Sequence, residues 1–304
     1  RLINFVLTPL FVRKFPATVY GVFTQLYGWA AMINAVLAFG METTFFRYLE
    51  KHPGNKQTVL NNSFVVTLFT SALFLITVFL FSTPIATWLN NGQFSADYLS
   101  YVRYFAVMLT ADALAVIPFA KLRAQGRPLR FGLLKLANVC ALILMNLLFL
   151  FGIPWLIRTV PSLTPLFDWY RPGWLGYVFI ANIVASGLTL ALLTPEIRTI
   201  RLHMDRKLLM DMLSYSFPIL IANISFIINE YLDKIALPML LPGEQGKMDN
   251  GIYGAVSKIA IFLSIAIQGF RLGAEPFFFS YAKNENARRI YAVIMDYFII
   301  AAVL

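Results

Sequence analysis

The chain has 304 residues, of which 59% are hydrophobic and only 13% are charged. A soluble domain of this size carries about a quarter charged residues, so the composition excludes an ordinary soluble protein. The formal net charge of +10 does not indicate a nucleic-acid partner, because solvated loops that face anionic lipid account for it. We therefore expect a polytopic membrane protein that contacts membrane lipid and no nucleic acid.

Nine apolar segments follow one another along the chain. They span residues 1–13, 19–40, 60–83, 102–120, 131–156, 174–195, 213–240, 252–277 and a ninth that starts near 290. Several contain more than the ~18 uncharged residues that indicate a membrane-spanning helix. The first and last segments are cut short, so we expect the sequence to be an internal fragment of a longer protein.

Basic residues are concentrated in alternate connections between these segments. Four connections carry most of them, at 47–56, 121–135, 198–207 and 283–289. Because positive charge is retained on the cytoplasmic side of a membrane, we place these four connections in the cytoplasm. Tryptophans at positions 88, 155, 169 and 174 flank the other side, where interfacial anchors are common.

Catalytic and metal-binding motifs are missing from the sequence. The only cysteine, Cys140, lies in an apolar run, where we expect a buried side chain, and His52 and His203 fall in polar connections. No histidine or cysteine cluster has metal-ligand spacing, and no phosphate-cradling G-x-x-x-x-G-K-[ST] loop occurs. We therefore expect a protein without a cofactor that does not hydrolyse ATP and is not an enzyme.

An internal repeat is visible in the sequence. The stretch "GMETTFFRYLEK" at 40–51 recurs as "GAEPFFFSYAKN" at 273–284, and the match extends without a gap over 19–51 and 252–284, pairing Gly21 with Gly254. Six crossings separate the copies, so both have the same orientation in the bilayer, as in transporters built from parallel repeats. The repeat predicts an all-α polytopic membrane protein with two parallel six-helix lobes, the second one truncated.

This repeat also sets the domain boundaries. Residues 1–195 form the first lobe, 196–211 a cytoplasmic linker and 212–304 the start of the second lobe. Each copy of the repeated stretch is predicted to form the cytoplasmic end of the second helix of its lobe. A substrate path between paired lobes can open to alternate sides of the membrane when one lobe rocks against the other.

Ionisable residues inside the apolar segments are candidates for function, because charge at membrane depth is costly. They are Asp112, Glu230, Asp233, Lys234, Lys258 and Arg271. The i,i+4 spacing allows Glu230 to pair with Lys234, and Arg271 with Glu275, which favours structural or gating roles. Asp112 and Lys258 have no such neighbour, and we expect them to face a cavity. Lys258 suits an anionic group such as a diphosphate, whereas Asp112 is either a site for a coupling cation, Na+ or H+, or the counter-ion of Lys258.

Several stretches together resemble one transporter family. They are "RLINFVLTPLFVRKF", "ADALAVIPFAKLRAQGRPLRF", "SYSFPILIANISFIINEYLDKIALPMLL" and both copies of the repeat. In order and spacing they resemble the polysaccharide-transporter branch of the multidrug/oligosaccharidyl-lipid/polysaccharide flippase superfamily, most closely the O-antigen-type oligosaccharide flippases.

The resemblance implies a V of two six-helix lobes in the bacterial cytoplasmic (inner) membrane. It also implies an undecaprenyl-diphosphate-linked oligosaccharide as cargo, used for surface polysaccharides such as lipopolysaccharide, and other polysaccharide-assembly proteins as partners. Lys258 falls where lipid II flippases of the superfamily carry a cavity arginine, which supports its assignment to the diphosphate. Arg1 and Arg271 are further candidates for contact with the cargo.

Three other functions compete with the flippase interpretation. A multidrug exporter of the same fold would favour an acidic cavity for organic cations, whereas the isolated membrane charges here are one aspartate and one lysine. A glycan polymerase or ligase would need a large catalytic periplasmic loop, and the longest loop on that side, 157–173, offers only Arg158, Asp168 and Arg171 as charged groups. A scaffold without transport activity would tolerate substitution of Asp112 and Lys258.

Overall fold

The structure is a computed structural model that describes residues 2–201, 204–241, 243–260 and 286–303. All its regular elements are helices. The α-helices are α1 (Leu2–Lys14), α2 (Ala17–Ala38), α3 (Met41–Lys51), α4 (Lys56–Leu80), α5 (Ser82–Leu89), α6 (Ala96–Ala124), α7 (Pro128–Leu147), α8 (Ile153–Thr159), α9 (Gly176–Leu192), α10 (Thr194–Ile197), α11 (Arg206–Leu240), α12 (Glu244–Val256) and α13 (Ala287–Val303).

Five helical stretches in this part of the chain are long and apolar enough to cross a membrane. They are Ala17–Lys51, Pro53–Leu80, Ala96–Ala124, Pro128–Thr159 and Arg206–Leu240, and Gly176–Leu192 is a shorter apolar helix. The prediction of an all-helical multi-pass membrane protein is confirmed. Fewer spans than the nine predicted segments qualify, partly because α1 has only 13 residues and the described part of the eighth segment ends at residue 260.

The stretch 40–51 comes at the end of the helical stretch Ala17–Lys51, as predicted, but a break in the backbone makes it a separate helix, α3. Phe39 and Gly40 both adopt left-handed backbone conformations, with φ of 47° and 64°, and this ends α2 before α3 begins. Glycine favours this geometry because it has no Cβ. α3 then buries Met41, Phe45 and Tyr48, while Arg47 and Lys51 stay exposed.

Aromatic packing holds α2, α6 and α9 together at the centre of the bundle. The Phe105 ring lies 4.6 Å from Phe179, and Tyr27 lies edge-on to Phe105 at 5.3 Å between ring centroids. Phe179 is fully buried and Leu109 nearly so. Such contacts stabilise helix association in a membrane, where burial away from water contributes little.

A π-helical turn, Leu148–Gly152, joins α7 to α8. Pro154 follows it, and proline lacks the N–H that would bond the Leu150 carbonyl four residues earlier. The hydroxyl of Tyr170 donates a 2.7 Å hydrogen bond to the Phe149 carbonyl within this turn. The loop after α8 therefore folds back onto the helix and supports the irregular backbone.

Three of the four connections expected in the cytoplasm, those at 47–56, 121–135 and 198–207, meet at one end of the bundle, which we call the basic end. There the side chain of Arg123 pairs with Glu42, and Arg130 lies 3.0 Å from the buried carboxylate of Glu196. At the opposite end, Lys247 of α12 donates a 3.1 Å hydrogen bond to Asn90, which follows α5. Neighbouring connections thus meet as the basic residue pattern predicts.

Cys140 is exposed, contrary to the expectation of a buried side chain. It lies on α7, where Leu133, Leu136 and Leu144 are also exposed. An outward-facing apolar surface is normal for a helix that contacts lipid. An apolar run in the sequence therefore did not distinguish the lipid-facing side of α7 from its packed side.

Candidate functional site

A cavity of about 330 Å³ is lined by residues of most of the long helices. Helices α1, α2, α6, α7 and α9 contribute one set of lining residues and α11 with the chain around α12 contributes another, and we call these two sets walls. The two walls differ in chemistry. Asp112 and several uncharged polar side chains lie on the first wall, which we call the amide wall, whereas two lysines lie on the second, the lysine wall.

Lys234 and Lys258 are the cations of the lysine wall. Lys234 lies on α11, where its ammonium group is 3.2 Å from the Asp233 carboxylate and donates a 3.1 Å hydrogen bond to the Glu230 backbone carbonyl. Lys258 follows the last turn of α12 and interacts electrostatically with both Lys234 and Glu230. The carboxylates of Asp233 and Glu230 are not among the groups that line the cavity. The part of the cavity lining that comes from α11 and the chain around α12 therefore includes two lysines and no acidic residue.

Asp233 adds a pairing that the spacing did not predict. Its carboxylate pairs with the neighbouring Lys234 and also accepts a hydrogen bond from the Tyr253 hydroxyl, and the i,i+4 pairing of Glu230 with Lys234 stays a prediction. Asp233 thereby connects α11 to α12. The other predicted pair, Arg271 with Glu275, lies outside the described residues, as does Arg1.

Asp112 lies midway along α6 and lines the same cavity. The Ser186 hydroxyl of α9 donates a 2.6 Å hydrogen bond to its carboxylate, and Lys135 of α7 acts on it electrostatically. No ion pair joins Asp112 to Lys258 within the part of the chain that the structure describes. The residue is therefore available to a cavity ligand or a cation and is held in place by a hydroxyl.

Three asparagines on the amide wall were missed in the sequence: Asn34 of α2, Asn146 of α7 and Asn182 of α9. Each lies in a predicted apolar segment, where an amide is costly unless it is paired or faces a polar space. The cost of burying an amide could have marked these three residues in the sequence. It is smaller than the cost of burying a charge, and the chain contains many other asparagines. Phe11, Phe23 and Tyr27 surround these amides with aromatic surface.

The densest basic loop, 118–131, is engaged in contacts within the protein. The guanidinium of Arg123 pairs with Glu42 and lies over the Phe46 ring at 5.0 Å. Lys121 donates a 3.3 Å hydrogen bond to the Glu196 backbone carbonyl. These contacts, together with the expected cytoplasmic position of the loop, account for its basic residues without a bound ligand. Across the described residues, no three acidic, histidine or cysteine groups are arranged as a metal site.

Comparison with known protein families adds a decisive observation. The family described as "Polysaccharide biosynthesis protein" matches residues 1–271. The chain belongs to this family. No curated protein and no solved structure matches it. The polysaccharide biosynthesis proteins are membrane proteins of the flippase and transporter kind, as the resemblance in the sequence implied.

Membership of the polysaccharide biosynthesis family bears on what the cavity binds. In a family that is generally of the transporter kind, a cavity lined by polar side chains is the natural candidate for the cargo site. The lysines, Asp112 and the asparagines are then the groups that meet the cargo. Their roles in binding stay predictions.

Proposed function

We propose that this protein moves an undecaprenyl-diphosphate-linked oligosaccharide from the cytoplasmic to the periplasmic leaflet of the bacterial inner membrane. The observation that carries the proposal is the cavity, whose lining combines Lys234 and Lys258 with Asp112, uncharged amides and aromatic rings. A sugar diphosphate has the same two parts, an anionic group and a neutral group rich in hydroxyls. The family match supports a role in polysaccharide synthesis.

Charge on the lysine wall favours an anionic cargo over an organic cation. The Lys234 ammonium is partly neutralised by Asp233, so Lys258 is the stronger candidate for a phosphate contact. A lysine ammonium binds phosphate as a point charge, without the two parallel hydrogen bonds that an arginine provides. We assign the diphosphate to Lys258, with Lys234 adding positive charge beside it.

Close packing of α2 against α12 supports two lobes related by a parallel repeat. A Cβ added at Gly21 would overlap the Lys247 carbonyl, and one added at Gly251 would overlap the Ala17 carbonyl. Asn250 also donates a 3.0 Å hydrogen bond to the Gly21 carbonyl. The repeat aligns Gly21 with Gly254. In the structure Gly21 lies near Gly251, and Gly254 lies against Thr24, so each contact is about one helical turn away from the repeat alignment.

Alternating access then requires contacts at the two ends to open in turn. At the end opposite the basic end, α2 and α12 meet through their glycines. At the basic end, the Tyr48 hydroxyl of α3 donates a 2.9 Å hydrogen bond to the Asp211 carbonyl of α11. We propose that cargo enters the cavity when the basic end opens and leaves when the α2–α12 contact opens.

Asp112 is the proposed site of energy coupling. A hard cation such as Na+ prefers oxygen ligands, and the Asp112 carboxylate and the Ser186 hydroxyl supply two of them beside the cavity. A proton could use the same carboxylate. We propose that Na+ or H+ acts at Asp112 and biases which end of the cavity is open.

Depletion of the full-length protein tests the flippase function directly. Polyprenyl-diphosphate-linked sugars are extracted from depleted cells, and the leaflet that holds them is assayed. We expect completed repeat units to accumulate on the cytoplasmic leaflet, and their mass identifies the glycan. Normal lipid-linked pools with altered sensitivity to cationic drugs would instead indicate an exporter, and unpolymerised glycan on the periplasmic side would indicate an enzyme.

A further inference from the structure

Asn146 has an unusual environment for a polar side chain. It is 1% exposed and lines the cavity from α7. Its amide nitrogen donates a 2.8 Å hydrogen bond to the Leu142 carbonyl, whereas its amide oxygen has no hydrogen-bond partner. Leaving a buried acceptor unsatisfied costs about 1–3 kcal/mol, so a group that donates to this oxygen would be stabilising.

The backbone around Asn146 fixes the position of this oxygen. The amide nitrogen is held by its own helix, so the side chain has little freedom to turn over. The π-helical turn Leu148–Gly152 begins two residues later, and such turns occur frequently at functional sites. The Tyr170 hydroxyl stabilises that turn from the loop. The acceptor is thus held on a supported, irregular part of α7.

Neighbouring groups on the amide wall have the chemistry of a sugar site. Asn182 donates to the Val178 carbonyl at 2.8 Å, and its amide interacts with the Tyr27 hydroxyl. The Phe23 ring lies 4.4 Å from Tyr27, which gives a continuous aromatic surface. Amides both donate and accept hydrogen bonds, as sugar hydroxyls do, and aromatic faces suit the apolar face of a sugar ring.

We propose that the Asn146 amide oxygen accepts a hydrogen bond from a hydroxyl or amide N–H of the sugar attached to the diphosphate, and that Asn146 thereby selects which glycan is transported. This inference rests on the proposed function and assigns the two walls to different parts of one ligand. The lysine wall binds the diphosphate that all such cargoes share. The amide wall distinguishes one sugar from another.

Selectivity follows from the buried acceptor. A site that is built to hydrogen-bond a substrate group discriminates against analogues that lack it, because the buried partner is then left unpaired. A sugar that presents a donor at the right position satisfies Asn146, and one that presents only an ether or a hydrogen does not. The diphosphate contributes equally in both cases and cannot discriminate.

Binding of two probes to the purified full-length protein in nanodiscs tests this proposal. The first probe is the lipid-linked sugar pool extracted from cells depleted of the protein, and the second is undecaprenyl diphosphate without sugar. Asn146→Leu removes the acceptor and keeps a similar volume. Asn138→Leu is the matched control, because Asn138 lies on the same helix, bonds Thr189 at 2.9 Å and does not line the cavity.

We expect Asn146→Leu to weaken binding of the sugar-bearing pool about tenfold, the effect of one neutral hydrogen bond, and to leave undecaprenyl diphosphate binding unchanged. Asn138→Leu should change neither. Equal loss of both probes, or no loss of either, would overturn the role of Asn146 while the proposed function stands. Failure of the unaltered protein to bind either probe would overturn the proposed function and this inference together.

Discussion

Lys258 is the residue to which we assign the diphosphate of the cargo. It lines the cavity beside Lys234 and lies on the chain just after α12, where a small movement of that helix repositions its ammonium group. The sequence predicted that Lys258 and Asp112 would face a cavity, because charge at membrane depth must find water, a ligand or a partner. The sequence did not predict that asparagines line the cavity, because placing an uncharged amide at membrane depth costs less than placing a charge there.

Lys258→Ala is expected to reduce transport of the lipid-linked sugar about 10- to 100-fold. Loss of one charge-assisted hydrogen bond to phosphate costs about 1.5–3 kcal/mol, which corresponds to that range. Lys258→Arg should retain most activity because it keeps the positive charge. Translocation into reconstituted vesicles is the measurement, with the exposed Lys207→Ala as the control for protein quality. Normal transport by Lys258→Ala at normal protein levels would show that Lys258 does not contribute to the cargo site.

Asp112→Asn should remove the dependence of transport on the coupling cation. The amide keeps the shape of the carboxylate and its bond from Ser186 but can neither release a proton nor supply a full negative charge. Transport in vesicles with and without Na+ or pH gradients tests this. Ser186→Ala serves as the comparison and should weaken the dependence without abolishing it. A gradient response that survives in Asp112→Asn would place coupling elsewhere.

The positions of the helices show which structural features the sequence pattern predicted and which it did not. Apolar runs located the spanning helices because helix length must match the membrane thickness. They did not locate the break at Phe39–Gly40 or the early start of α11 at Arg206, inside the predicted linker 196–211. Both depend on packing between distant elements: Gly40 lies against Ile219 of α11, and Asp205 caps α11 through the Lys207 N–H.

Arg130→Ala should destabilise the protein more than Arg123→Ala. The Arg130 partner, Glu196, has a side chain that is only 5% exposed, whereas the Arg123 partner, Glu42, is 44% exposed. Removing Arg130 leaves a buried carboxylate without its guanidinium partner, at a cost of about 2–3 kcal/mol. Removing Arg123 breaks a solvated pair worth about 1 kcal/mol or less. Thermal unfolding of the purified variants compares them, and equal melting temperatures would contradict the argument.

Gly251→Ala should separate α2 from α12 and impair transport at least tenfold. A methyl group at this position would overlap the Ala17 carbonyl, so the helices must move apart. Small residues are what allow membrane helices to approach this closely. Gly187→Ala on α9 is the matched control, since no atom lies within 4 Å of its added Cβ. Transport by the two variants is compared at equal protein levels. Wild-type activity in Gly251→Ala would show that the close contact between the helices is dispensable.

At the scale of the whole molecule, the internal repeat was the most informative sequence feature. It implied that two helices with similar sequences point the same way, and α2 and α12 do advance together from the Ala17–Gly251 contact to the Thr24–Gly254 contact. Most of the second copy lies outside the described residues. The arrangement of the two predicted lobes depends on long-range packing, which the order of segments along the chain does not encode.

A cross-link across the end opposite the basic end should stop transport. Lys247 and Asn90 meet there, and cysteines at both positions can be joined by a short cleavable bis-maleimide in a background where Cys140 is replaced by serine. We expect the cross-link to abolish translocation in vesicles and its cleavage to restore it. Each single cysteine variant, treated with the same reagent, is the control. Undiminished transport with the link intact would exclude opening at this end.

Helix α3 also limits which rigid-body motions the protein can make. Its exposed Arg47, Glu50 and Lys51 lie on a short helix that follows the left-handed break at Gly40. Sliding this part of the protein along the membrane normal by one helical turn, about 5.4 Å, would carry such charges toward hydrocarbon. Each would cost up to about 2.5–3.5 kcal/mol at the bilayer centre. With α3 at the cytoplasmic membrane surface, as the basic residues of this connection predict, the cost would oppose inward translation of the protein and would not oppose tilting at constant depth.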